Sequence, residues 1–268
     1  MARYFIHLAY NGFTFRGWQK QTDHTTVQET LENAFSHILK KTITIVGCGR
    51  TDALVHATQF FAHFDTDSDW DFDLVFRLNQ FLPNDIVIFD IIKTENNAHA
   101  RFDALERTYE FYVHTTKDPF LQNCSYYFAN QNLKPENIVS ATALLTGYED
   151  FQSFCKTPDH NQTTLCKMTK SFCQPSPNNH LLKFQFTANR FLRGMIRALV
   201  QKILEVGTNE ISIVEFEELL KNPKAPDIKA MAAPYGLYLT KVNYPFINLP
   251  NKTFPPPSQL THFSKDIQ

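Results

Sequence analysis

"TITIVGCGRTDALVHATQFFAHF", residues 42–64, decides the fold, because it has the composition of two strands joined by a short loop. β-Branched residues fill 42–47 and aromatic residues recur in 58–64, and both are typical of strands. The loop carries Arg50 and Asp52. An aspartate after a strand is most often a structural turn or capping residue. A cation two residues away, however, keeps a carboxylate ionised and able to act as nucleophile or base. Leu54 follows where a turn more readily takes glycine.

Strands and helices are mixed along the rest of the chain. Aromatic and β-branched runs predict strands over 3–10, 82–92 (a turn and then a strand), 107–113, 181–188 and 236–244. Apolar periodicity predicts helices over 27–40, 73–81, 135–146 and 191–207. Thr26 and Glu29 form a capping-box pattern before the first helix, and Gly207 is the expected stop of the last. Residues 156–180 are polar and irregular, which predicts a long surface loop.

Composition and charge indicate an ordinary soluble globular protein. The chain has 268 residues, of which 43% are hydrophobic and 20% charged, with a net charge of −1. That charge argues against nucleic-acid binding by bulk charge but leaves room for a local basic cleft. The first residues do not have the pattern of a signal peptide, and no apolar run reaches the ~20 residues of a membrane helix. We therefore expect a cytoplasmic protein with no membrane partner.

The cysteine pattern and the absent glycine motifs limit the possible cofactors. The five cysteines include no C-x-x-C pair, so reduced thiols are expected. Four residues could in principle bind zinc: Cys155, His160, Cys166 and Cys173. Their irregular spacing argues against a zinc site. Neither G-x-G-x-x-G nor G-x-x-x-x-G-K-[ST] occurs, which argues against a nucleotide cofactor.

Several aromatic and basic residues can be interpreted in two ways. Tyr109 lies on a strand face where a core aromatic is the common outcome, but such a ring can also stack on a base. Three arginines share one side of the predicted 191–207 helix: Arg190, Arg193 and Arg197. They could form an ordinary solvated face, or a basic stripe that contacts phosphates or pairs with a buried carboxylate. Two further pairs mix cations and rings as single-stranded nucleic-acid sites do: Arg101 with Phe102, and Arg107 with Tyr109.

A series of motifs then makes the sequence specific. "YNGFTFRGWQKQ", "TVQETLE", "GRTDALVHA", "LPNDI", "AHARFDALERTYEF", "DFQSF", "FLRGMIRALV..ILEVG" and "APYGLYLTKVNY" occur in this order between about residues 3 and 244. Together they resemble the tRNA pseudouridine synthase A family. The resemblance implies an isomerase that makes pseudouridine at nucleotides 38 to 40 of the tRNA anticodon stem-loop. It also implies a homodimer that uses no cofactor and no metal.

The resemblance implies roles for individual residues. It places the catalytic aspartate on Asp52, its preceding arginine on Arg50, the base-stacking tyrosine on Tyr109 and the arginine that pairs with the aspartate on Arg197. The residues expected to contact RNA are Arg16, Gln19, Lys20, His56, Arg101, Phe102, Arg107, Arg193 and Leu237. Among these, Leu237 matches an apolar pocket residue, and Arg193 falls where the family varies.

The resemblance also implies a domain layout and exposes one departure. We expect two related halves, each a mostly antiparallel sheet with helices on one face, forming a central cleft. The first half covers 1–104, the second 105–246, and a Pro-rich tail 247–268. Leu54 stands where the family has glycine. We expect the enzyme to stay active, because Arg50, Asp52, Tyr109 and Arg197 are all retained. The alternatives are a tRNA-binding or tRNA-folding protein whose catalysis Leu54 impairs, and a zinc or thiol protein.

Overall fold

The computed structural model describes residues 1–67, 69–129, 132–224, 230–248 and 254–255. Its helices are α1 (Val27–Leu39), α2 (Leu74–Phe81), α3 (Pro135–Leu144), α4 (Met195–Gly207) and α5 (Ile213–Lys221). Its strands are β1 (Ala2–Tyr10), β2 (Val46–Gly47), β3 (His56–Thr66), β4 (Ile86–Thr94), β5 (Glu106–His114), β6 (Tyr126–Tyr127), β7 (Met168–Pro175), β8 (Leu181–Ala188) and β9 (Leu237–Asn243). The predicted α/β class, with mostly antiparallel strand pairing, is confirmed.

The first of two structural units comprises Met1–Leu105 and the described residues from Tyr238 onward. Its central strand β1 pairs antiparallel with β3 on one side and β4 on the other. β2 adds to β3 antiparallel, and β9 runs parallel to β3. Helices α1 and α2 pack on each other, and the Phe35 ring of α1 meets Phe64 of β3 at 4.9 Å between centroids. An aromatic contact therefore joins α1 to this sheet.

The second unit comprises Glu106–Leu237 among the described residues. β8 lies between β5 and β7 and pairs antiparallel with both, and β6 adds to β5 in parallel. α3 packs on β7, α4 and α5. Phe111, Phe184 and Phe186 are buried in this sheet. The unit thus combines a mostly antiparallel sheet with packed helices.

The strand predicted over 42–47 is wrong except at Val46–Gly47. The side chains of α1 take the place of a neighbouring strand. The Ile45 N–H donates to Glu32 Oε1 at 3.1 Å, and the Ile45 carbonyl accepts from Gln28 Nε2 at 3.0 Å. The Ile43 N–H donates to Ser36 Oγ at 2.9 Å. Side chains of α1 therefore satisfy three backbone groups of this segment without a β-ladder.

The surface loop predicted over 156–180 is also wrong, because Met168–Pro175 forms β7. This strand pairs with β8, with Cys173 opposite Phe184. Its polar side chains obscured the strand signal, and its partner comes later in the chain.

Two helices near the end of the second unit also differ from expectation. α4 begins at Met195 rather than near 191, because Gly194 caps it with φ +73°. α5 was not predicted, although Ser212 and Glu215 form a complete capping box at its start.

The predicted tail lies largely outside the described residues. Phe254 of the tail is described, and its ring packs on Phe89. Just before the tail, the Phe246 ring packs on Phe5. Within the described ranges, no helix combines the length and apolar character that crossing a membrane would require.

Candidate active site

A tight turn presents Asp52 in the first unit. The Val55 N–H donates to the Asp52 carbonyl at 3.3 Å, which closes a four-residue turn over 52–55. Leu54, the third residue of this turn, has φ +67°. That arrangement matches a type II β-turn, whose third position favours glycine or asparagine. The turn leaves the Asp52 side chain half-buried and Arg50 exposed.

The aromatic segment 10–18 holds this turn in place. The Leu54 N–H donates to the Phe15 carbonyl at 3.2 Å, and the Trp18 N–H donates to the Thr51 carbonyl at 3.2 Å. The Thr51 hydroxyl is hydrogen-bonded to Tyr10 Oη at 2.8 Å. Three bonds therefore fix residues on both sides of Asp52.

Two glycines make this close approach possible. A Cβ at Gly17 would lie 2.6 Å from the Thr51 carbonyl oxygen, and Gly17 has φ +89°. A Cβ at Gly12 would lie 1.8 Å from the Val55 carbonyl oxygen. Real side chains do not tolerate such separations from backbone atoms. The backbone of 12–17 therefore packs directly against the loop that carries Asp52.

His56 is held inside the same assembly. Its Nδ1 accepts the Gly12 N–H at 3.1 Å, and its ring stacks on Tyr238 with centroids 4.5 Å apart. Only 3% of the residue is exposed. The geometry gives His56 a positioning role, and the RNA contact expected of it stays a prediction.

Residues 16–20 join the turn assembly to α1. Gln19 Nε2 donates to Gln28 Oε1 at 2.9 Å. Lys20 Nζ lies 3.6 Å from Glu32 Oε2. Arg16 and Lys20 are exposed, and Gln19 is partly buried.

The segment 98–104 carries Arg101 and Phe102. Phe102 is 74% exposed, and the Arg101 guanidinium lies 5.7 Å from the centre of its ring. The His99 ring also lies against the Phe102 ring, tilted by 32° with centroids 4.2 Å apart, and His99 Nδ1 accepts the Phe102 N–H at 3.3 Å. An exposed ring beside a cation can stack on an unpaired base.

Buried His63 anchors this segment to β3. Its Nδ1 accepts the Ala100 N–H at 3.1 Å. Burial, and then the charge of Arg3 and the nearness of His99, lower the pKa of His63 to about 4. Burial likewise lowers the pKa of His99. The neutral ring is the form that can accept the Ala100 bond.

Tyr109 and Arg107 lie on β5 in the second unit. The Tyr109 ring is half-buried and meets Phe191 edge-on, with centroids 5.1 Å apart. Arg107 Nη1 donates to the Asn189 carbonyl at 2.9 Å. Both residues thus touch the segment between β8 and α4.

The first turn of α4 carries Arg197. Its Nε donates to the Ala232 carbonyl at 2.7 Å, and the Ala232 N–H donates back to the Arg197 carbonyl at 3.2 Å. Arg193, just before the helix, is exposed, whereas Leu237 is only 7% exposed. Arg190 is partly buried, with Nη2 3.5 Å from Asn161 Oδ1. The three arginines of the predicted stripe therefore have different surroundings.

The cysteines are buried thiols. Burial raises the pKa of Cys166 to about 11 and that of Cys173 to about 12, and Cys155 is also buried. His160 is exposed. Across the part of the chain that the structure describes, His, Cys, Asp and Glu side chains form no group of three or more suited to a metal ion. The zinc hypothesis thus finds no ligand group there.

The predicted site residues divide between the units. The first unit holds Arg16, Gln19, Lys20, Arg50, Asp52, His56, Arg101 and Phe102. The second holds Arg107, Tyr109, Arg193, Arg197 and Leu237. Sequence reasoning missed Gly12, Gly17 and Thr51 as the parts that fix Asp52. The two glycines within an otherwise aromatic segment were the available signal.

Comparison with known proteins shows the family to which this chain belongs. Residues 141–245 match the family model described as tRNA pseudouridine synthase. Several full-length relatives carry the name tRNA pseudouridine synthase A. The protein of that name from Porphyromonas gingivalis is 40% identical over 248 residues, covering 91% of this chain and 98% of the relative.

Two further relatives carry the same name. The relative from Azobacteroides pseudotrichonymphae is 39% identical over 246 residues, covering 91% of this chain and 98% of its own. The relative from Dictyoglomus turgidum is 32% identical over 249 residues, covering 91% and 100%. The chain belongs to the tRNA pseudouridine synthase A family.

Proposed function

We propose that this protein is an isomerase that converts uridine to pseudouridine in the anticodon stem-loop of tRNAs, at nucleotides 38 to 40. Identity of 40% across 98% of a relative named tRNA pseudouridine synthase A carries this proposal. The turn over 52–55 adds a physical reason, because its hydrogen bonds to segment 10–18 hold the partly accessible Asp52 in a defined position. Pre-organised placement of a reacting group is a large part of enzymatic rate enhancement.

The reaction needs no redox partner and no group donor. The bond between C1′ and N1 breaks, the uracil turns, and C5 bonds to C1′. The C5 proton leaves and N1 gains a proton, so substrate and product have the same composition. The Asp52 carboxylate can attack the sugar, attack the base, or remove the C2′ proton to give a glycal.

The other roles follow from the family resemblance. We assign Arg197 to pairing with Asp52 and Tyr109 to stacking on the target base. Leaving the helical stack costs the nucleotide a few kcal/mol, and stacking offsets part of that cost. Arg50, which is exposed beside Asp52, would fill the gap that the nucleotide leaves.

Local charge accounts for RNA binding by a chain with a net charge of −1. Arg16, Lys20, Arg50 and Arg101 are exposed in the first unit, and Arg193 is exposed in the second. Phosphate contacts depend on such local cations rather than on the total charge. The resemblance further supports a homodimer in the cytoplasm, and sedimentation analysis of the purified chain would test the dimer.

The second candidate is a tRNA-binding protein whose catalysis Leu54 impairs. Leu54 does adopt a left-handed conformation, which strains a leucine. The enzyme is nevertheless favoured, because Asp52 and the residues assigned to assist it are all present.

Tritium release from [5-³H]uridine-labelled tRNA tests the function. The parent protein should release tritium, whereas Asp52→Ala and the isosteric Asp52→Asn should lose at least about 1,000-fold in rate because no carboxylate remains. Gel-shift measurements on all three proteins serve as the control for tRNA binding. Bound tRNA without release by the parent would contradict the enzyme and support the binding protein.

A further inference from the structure

Leu54 has a backbone conformation that its side chain disfavours. Six described non-glycine residues have positive φ: Asp23, Lys40, Leu54, Asn123, Asn179 and Asn209. Asparagine and aspartate tolerate this conformation well, and Lys40 ends α1 as its C-cap. Leu54 is the single apolar member of this described set, and it lies two residues from Asp52.

The surrounding contacts prevent the turn from relaxing. The Leu54 N–H is bonded to the Phe15 carbonyl, and Val55 closes the turn on Asp52. Gly17, in the same segment as Phe15, packs against residues 51–53, with 2.6 Å between its hypothetical Cβ and the Thr51 oxygen. A change of φ at Leu54 would break these contacts. The strain is therefore a fixed property of the loop.

Burial within the chain does not fully offset that strain. Leu54 is only partly buried, whereas its neighbour Val55 is 2% exposed. A leucine contributes its full hydrophobic free energy only when the whole side chain leaves water. Leu54 therefore keeps part of its surface accessible, two residues from Asp52.

We propose that Leu54 contacts the nucleotide on which Asp52 acts, as an apolar wall against the face or edge of the uridine. This inference rests on the proposed function. Two residues of chain span at most about 7 Å between Cα atoms, so a nucleoside that reaches Asp52 also comes within reach of Leu54. Binding then completes the burial of the side chain. Local strain retained at a substrate-contacting residue is a known feature of functional sites.

Three substitutions separate the backbone effect from the side-chain effect. Leu54→Gly removes both the strain and the side chain, Leu54→Ala removes the side chain and keeps a Cβ at positive φ, and Leu54→Met keeps a similar volume. Tritium release from a labelled anticodon stem-loop gives kcat and KM for each, and thermal unfolding gives stability.

The melting temperatures and the KM values of these variants should rank differently. Leu54→Gly should melt a few degrees above Leu54→Ala, because only glycine adopts this φ without strain. The KM of both should rise about tenfold above the parent, while Leu54→Met should stay within about threefold.

Two outcomes overturn the inference. If the parent is active and the Gly and Ala variants keep its KM within twofold, or work better, Leu54 does not contact the nucleotide. If the parent forms no pseudouridine, the proposed function fails and this inference fails with it. The parent's activity therefore distinguishes the two failures.

Discussion

At the scale of single residues, Gly17 sets the position of the turn that carries Asp52. A hypothetical Cβ would lie 2.6 Å from the Thr51 oxygen, so there is no room for a side chain. Its φ of +89° would in addition strain any residue other than glycine. We predict that Gly17→Ala costs about 3 kcal/mol of unfolding free energy, because φ strain and overpacking add. The displaced turn should also lower kcat at least about tenfold.

Urea unfolding followed by tryptophan fluorescence measures the stability part of this prediction. The chain has two tryptophans, Trp18 and Trp70, and both lie in the first unit. Gly49→Ala is the matched control, because Gly49 lies in the same unit as both tryptophans and a Cβ there would meet nothing within 4 Å. That variant should stay within about 0.5 kcal/mol of the parent. Equal stability and kcat in Gly17→Ala and the parent would show that Gly17 does not position the turn that carries Asp52.

At the scale of elements, Gly207 lets α4 approach α3. A Cβ there would lie 2.6 Å from Cγ1 of Ile138, which is fully buried. The Lys134 N–H, at the start of α3, also donates to the Gly207 carbonyl at 2.8 Å. Gly207 was expected to stop the helix from just beyond its end, and that expectation is wrong. Gly207 is the last residue of α4 and allows α4 to pack closely on Ile138 of α3.

A double-mutant cycle tests this contact between helices. Gly207→Ala should destabilise by about 1–3 kcal/mol through overpacking, and Ile138→Ala by about 2–5 kcal/mol through a cavity. The double variant should be more stable than the sum of the two losses by at least about 1 kcal/mol, because the new methyl fills the space vacated by Ile138. Calorimetry on the four proteins measures the coupling, and additive losses would contradict the predicted contact.

At the scale of the whole molecule, buried His63 makes stability depend on pH. Its pKa is about 4 in the folded chain and near 6.5 when unfolded. Between these values the unfolded chain binds the extra proton, so stability falls as pH drops from 6.5 towards 4. Lowering the pH from 7 to 4.5 should cost on the order of 2 kcal/mol through this group.

The surroundings of His63 define the control. Arg3 and His99 lower its pKa, whereas Asp65 and Asp103 act in the opposite direction. His63→Asn keeps an acceptor for the Ala100 N–H but cannot titrate. Urea unfolding at pH 7 and 4.5 should show a smaller loss for this variant than for the parent. The same loss in both proteins would exclude His63 as the source.

The sequence by itself determined the elements whose patterns are local. The runs at 3–10, 107–113 and 181–188 are strands because their own residues favour extended structure. The stretch predicted over 27–40 is a helix because its apolar residues recur with helical periodicity. The ordered motifs also identified the family and pointed to Asp52, since those signals lie in short stretches of chain.

Only the tertiary structure decided what depends on partners distant in sequence. The backbones of Ile43 and Ile45 hydrogen-bond to side chains of α1 instead of to a strand, and 168–175 becomes a strand because β8 pairs with it. The positive φ of Leu54 and the need for glycine at 17 follow from contact between segments more than thirty residues apart. Backbone pairing and close approach are non-local interactions, so no local pattern of residues encodes them.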